Sequence, residues 1–91
     1  MDIQLLDDTC RSLEEISDVL YQGYVSQGIA RMNEVIPNLA LISTWIEDAG
    51  TQERLIQDAL SPILSAMEQQ DGTELADLIT YELLTLLGEL R

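Results

Sequence analysis

Apolar residues recur along the chain at steps of three and four, and the rhythm breaks at a few Gly- and Asp-bearing points. Leu6, Cys10, Leu13, Ile16 and Leu20 form one stripe, with Asp7, Asp8, Arg11, Ser12, Glu15 and Asp18 on the other side. That is the pattern of an amphipathic helix, and it predicts a first helix from about Ile3 to Tyr21, ended by Gln22-Gly23. A second helix is expected from about Tyr24 to Glu47, with Val25, Ile29, Met32, Ile36, Leu39 and Ile46 on its inner face. A third should start near Thr51 or Gln52, with Thr51 as N-cap, and end near Gln70. Its stripe reads Ile56, Ala59, Leu60, Ile63 and Met67. The fourth has the clearest start. In Asp71-Gly72-Thr73-Glu74, Asp71 caps the helix and Glu74 reaches back as in a capping box, with Thr73 as the alternative cap. It then runs to the C-terminus through Leu75, Leu78, Ile79, Leu83, Leu84, Leu86, Leu87 and Leu90.

Two prolines interrupt this picture. Pro37 and Pro62 fall inside the second and third helices. An interior proline loses a hydrogen bond and crowds the preceding turn, at about 3 kcal/mol or more. Because the apolar period continues across both positions, kinks are expected rather than breaks. The expected architecture is one all-α domain over residues 1–91, an antiparallel four-helix bundle kinked near Pro37 and Pro62. A faint echo between the two halves, such as Leu5-Leu6-x-Asp8 against Leu55-Ile56-x-Asp58, is compatible with two related hairpins or with chance.

Composition narrows the function. The net charge is −13, from 17 acidic residues against 4 arginines, with no His. A field of that sign repels phosphate, so direct nucleic-acid binding and anionic membrane surfaces are disfavoured. The N-terminal stretch lacks a basic region and a long apolar run, and a cytoplasmic protein is the simplest expectation. Cys10 is the sole cysteine, so no intramolecular disulfide is available.

Candidate chemistry is sparse. Asp7 and Asp8, and Glu14 and Glu15, are adjacent pairs. Neighbours on a helix point about 100° apart, so neither pair converges. The His of a di-metal bundle site is absent, as is calcium-loop spacing. No metal, cofactor or catalytic residue is expected, and Cys10 reads as a small buried side chain. Glu82 falls between Leu78 and Leu86 on a helical wheel and is expected to be semi-buried, paired with Arg31 or Arg54, unless it lies at the stripe's edge and reaches water. The hint of a partner is surplus apolar surface. Pro37, Leu41 and Trp45 lie off the inner stripe of the second helix, and Leu84 and Leu87 widen that of the fourth. Such residues either form an interface or are closed over by the core.

The segment Leu75-Ala76-Asp77-Leu78-Ile79-Thr80-Tyr81-Glu82-Leu83-Leu84 resembles the last helix of small acidic helical proteins of Gram-positive bacteria that have no assigned function. The run of helices, with a short Gly- or Asp-marked break before the second and fourth, is similar in outline to flagellar export chaperones. That resemblance implies a non-enzymatic adaptor that binds an apolar or amphipathic segment of a partner protein. Read with the apolar surplus, the expectation is a homodimeric interaction module. An acidic inhibitor or nucleic-acid mimic in a basic groove is the alternative, and an uncharacterised enzyme the third.

Overall fold

The computed structural model describes residues 2–90, which are helical almost throughout and contain no strand. Helix α1 is Ile3–Tyr21 and α2 is Val25–Trp45. Helix α3 covers 49–68 as α-helical Ala49–Glu53, π-helical Arg54–Leu60 and α-helical Ser61–Glu68. Helix α4 covers 72–90 as Gly72–Asp77, a π-helical Leu78–Leu83, and Leu84–Leu90. Helices α1 and α4 pack on each other; α2 lies along α1, and α3 along α4.

The first helix has the bounds its pattern predicts, and all five stripe residues are buried. Its neighbours Thr9 and Ser17 are buried too; Ser17 donates to the Glu14 carbonyl at 2.9 Å, whereas Thr9 Oγ1 has no hydrogen-bond partner among the described residues. Cys10 is 1% exposed. We expect it to resist maleimide labelling until the protein unfolds, because reagent access is what limits reaction at a buried thiol. Rapid labelling of the folded protein would contradict this packing.

Both short turns are built alike. Gly23, with φ 94°, and Gln70, with φ 54°, take the left-handed conformation after α1 and α3. The next N–H then reaches back, Tyr24 to Val19 O at 3.2 Å and Asp71 to Ala66 O at 3.0 Å. This satisfies carbonyls the helix ends would otherwise leave unpaired. Asp71 caps α4 as expected, accepting from Glu74 N–H at 3.1 Å. The reciprocal arm of the box has no role, because the Asp71 N–H is already committed to Ala66.

The start of α3 is corrected. Asp48, not Thr51, is the cap: it accepts the Thr51 N–H at 2.9 Å and the Thr51 hydroxyl at 2.6 Å. These bonds hold the Asp48 carboxyl below its ordinary range, the hydroxyl contributing most. Its stabilisation is therefore present above the ordinary carboxylate pKa and lost as pH falls through the lowered one.

Helix α2 runs unbroken through Pro37. In α3, Pro62 is the second residue after the π-helical segment, following Ser61. The reason for both π segments lies in the buried rows. Leu55, Ala59, Ile63 and Met67 are buried in α3, and Leu75, Ile79, Leu83 and Leu87 in α4, each row at strict steps of four. In a regular α-helix a step of four drifts about 40° around the axis, so three steps lose roughly a third of a turn. A π turn takes more residues and cancels the drift; here Ser61 N–H bonds Ile56 O and Leu84 N–H bonds Ile79 O. The two π segments pack against each other, so each straight row meets the other. In α1 and α2 the buried rows mix steps of three and four, and no such rewinding is needed.

Candidate functional site

The C-terminal half of α2 carries no charged residue from 35 to 46. Val35, Leu39, Ile42 and Ile46 face the core. Pro37, Ala40, Leu41 and Thr44 are exposed on the outer side, and Trp45 is half-buried against the core. Leu41 is 46% exposed. The hydroxyls on this stretch are bonded within the helix: Ser43 and Thr44 donate at 2.6 Å to the Ala40 and Leu41 carbonyls. What remains outward is apolar surface with little demand for water. Acids bracket it, Glu34 before and Glu47 and Asp48 after. Of the residues singled out in the sequence, Pro37, Leu41 and Trp45 therefore come together on one helical segment.

The other candidates do not join them. Leu87 is fully buried and belongs to the core, so it is no surface for a partner; Leu84 is half-buried beside it. Glu82 is exposed rather than semi-buried. Both corrections have one cause. A wheel of constant pitch carries Glu82 toward the stripe, but the π turn at Leu78–Leu83 rewinds the helix so that Leu83 and Leu87 face inward. The arginines suggested for Glu82 are engaged elsewhere, Arg31 with Glu15 at 2.9 Å and Arg54 with Glu89 at 3.2 Å.

Two further surfaces escaped the sequence reading. Ile56, assigned there to the core, is 46% exposed, and Leu64 is 50% exposed. With Leu60, Ser61, Ser65 and Glu68 they line an open groove of about 660 Å³ on α3. Leu55 takes the inner place that the pattern gave to Ile56. The signal available in the sequence was the step of four from Leu55 onward. The second surface is a groove of about 610 Å³ along α4, lined by Asp71, Thr73, Glu74, Asp77, Leu78, Tyr81 and Glu82. Beside it Tyr21 Oη donates to Asp77 Oδ1 at 2.6 Å. That bond to a carboxylate raises the Tyr21 pKa; the Thr80 hydroxyl, near but outside hydrogen-bond geometry, pulls it the other way.

Among the described residues no three Cys, Asp or Glu side chains are grouped to hold a metal ion, and no helix is long and apolar enough to cross a membrane. The chemistry on offer at α2 is desolvation of an apolar face. No curated protein and no solved structure matches this chain. One family profile, described as a domain of unknown function, matches residues 3–91, and the chain belongs to that family, DUF8042.

Proposed function

We propose that this chain is a non-enzymatic protein-interaction module, adaptor- or export-chaperone-like, which docks an apolar or amphipathic segment of a partner protein on the outer face of α2. The observation that carries this reading is the uncharged run 35–46 with Leu41 exposed, on a chain of net charge −13. Charge depletion at the centre of a patch, with a polar rim, is the compositional mark of an interface. The acids at both ends favour a partner segment whose apolar face is flanked by basic residues. The scaffold in this reading is an antiparallel four-helix bundle. It is supported by the Glu15–Arg31 and Arg54–Glu89 pairs between neighbouring helices and by Val25 touching Gly72 at the starts of α2 and α4. The reading also includes a cytoplasmic location and a homodimer.

The test is co-purification from the native host with a tagged chain. Leu41→Glu should abolish recovery of the partner, by at least about tenfold if Leu41 is a hot spot, while helix content and melting temperature stay as they were. Undiminished recovery would remove α2 as the docking face. The acid-lined groove of α4 supports the second reading, an acidic inhibitor of a basic surface. There, Asp77→Asn and Glu74→Gln would release the partner and Leu41→Glu would not.

A further inference from the structure

We propose that Pro37 frees the Asn33 carbonyl as an acceptor for an arginine of the partner segment, which Glu34 also holds, while an apolar residue one helical turn away settles on Leu41. This anchor rests on the reading of α2 as the docking face and names the chemistry that the face selects.

The acceptor comes from the proline. Helix α2 runs from Val25 to Trp45 with Pro37 inside it. In a regular helix the Asn33 carbonyl is bonded by the N–H of residue 37, and proline has none. The hydroxyls that bond back to carbonyls in this helix, Ser43 and Thr44, reach Ala40 and Leu41 instead. Asn33 and Pro37 are both exposed, so the acceptor that has lost its donor lies on the solvent side. Pro37 belongs neither to the core nor to the residues packed against it. An interior proline is unfavourable for the helix, and burial of its ring does not offset that here.

The surroundings select the donor. Glu34 stands three residues before Pro37 and Leu41 four after it, so the three share one exposed strip. Among the described residues Glu34 has no ion pair: Arg11 is paired with Asp8, Arg31 with Glu15 and Arg54 with Glu89. A carbonyl lacking its donor and an unpaired carboxylate thus flank Pro37, on a chain of net charge −13. A cation with several N–H groups can bond both, and the guanidinium presents five in a fixed fork. Leu41 lies about 6 Å further along the axis, and no charge follows before Glu47. A simple cation would leave that apolar part uncovered. An amphipathic helix with an arginine and a leucine four residues apart covers both.

Two synthetic helical peptides of about four turns, free of tryptophan and alike in their leucine face, test the anchor. One carries arginine a turn before its first leucine, the other glutamine there. Trp45 is the chain's sole tryptophan and stands one turn beyond Leu41, so its emission reports occupancy. The wild type should bind the arginine peptide about tenfold or more tighter, the effect of charge-assisted hydrogen bonds at one site. Pro37→Ala returns the missing N–H to Asn33. It should raise the melting temperature by roughly 5 °C or more and lower the arginine preference severalfold. The substitution leaves the net charge unchanged, so a general attraction of cations to the acidic chain cannot account for that drop. Glu34→Gln should lower the preference too, without the rise in melting temperature. Equal binding of the two peptides by the wild type would overturn the proposal, as would binding of neither. So would a Pro37→Ala chain that keeps the wild-type preference or melts with the wild type. If both peptides bind equally and Leu41→Glu loses both, the docking face stands and the arginine anchor falls.

Discussion

Leu87→Ala should destabilise the protein by about 2–5 kcal/mol, the loss expected for emptying a fully buried leucine site. Leu87 is 0% exposed and closes the α4 row behind Leu75, Ile79 and Leu83. A domain of this size has roughly 5–14 kcal/mol in all, so one truncation removes a large share. At about 4–8 °C per kcal/mol for a small domain, the melting temperature should fall by at least roughly 8 °C. Leu84→Ala, at a half-buried position, should cost less, and Leu41→Ala should stay within about 0.5 kcal/mol because its side chain already meets water. The ordering is the measurement, made by thermal or urea denaturation. If Leu87→Ala melted with the wild type, Leu87 would be surface, and the π turn that turns it inward would be misplaced.

Gly28→Ala should also destabilise, against the trend of helix propensity. Within a helix this exchange ordinarily gains about 1 kcal/mol. Here the added Cβ would stand 2.4 Å from Leu20 Cδ2 and 2.6 Å from Leu20 Cγ. Leu20 is 3% exposed, so its side chain can yield only by disturbing the packed contact between α1 and α2. Overpacking of this kind costs about 1–3 kcal/mol, and net destabilisation is expected. The partner identifies itself in a double-mutant cycle: in a Leu20→Ala background, Gly28→Ala should become neutral or favourable. Gly88 supplies the control. A Cβ there meets nothing within 4 Å, so Gly88→Ala should stabilise α4 by about 0.5–1 kcal/mol. Equal effects at Gly28 and Gly88 would refute the close approach of α1 to α2.

How much of this was legible in the sequence depends on the helix. The bounds and buried face of α1 were, because mixed steps of four and three fix the phase of a regular helix without reference to any neighbour. The turn at Gly23 and the cap at Asp71 were too, since each is a local bond between a side chain or backbone group and the next few residues. In α2 the phase was legible only in part: Pro37 and Leu41 are exposed as off-stripe residues, but Trp45 packs half-buried against the core, and the buried row is Gly28, Met32, Val35, Leu39 and Ile42, with Val25, Ile29 and Ile36 of the expected stripe only half-buried.

In α3 and α4 the pattern alone was ambiguous. A run of fours fits an α-helix whose apolar face drifts, or a rewound helix whose face is straight. The first choice puts Ile56 inside, Glu82 near the stripe and Leu87 at its edge; the second puts Leu55 and Leu87 in the core and leaves Ile56 and Glu82 outside, as observed. Rewinding is unfavourable for one helix by itself. It becomes favourable when two straight rows can interlock, and the row facing α3 belongs to α4. The sequence by itself therefore determined that there would be helices, where most of them begin and end, and how α1 is phased. Only the tertiary structure decided the phase of α3 and α4, which arginine meets which acid, and which leucines are left at the surface, because each of those depends on the surface presented by another helix.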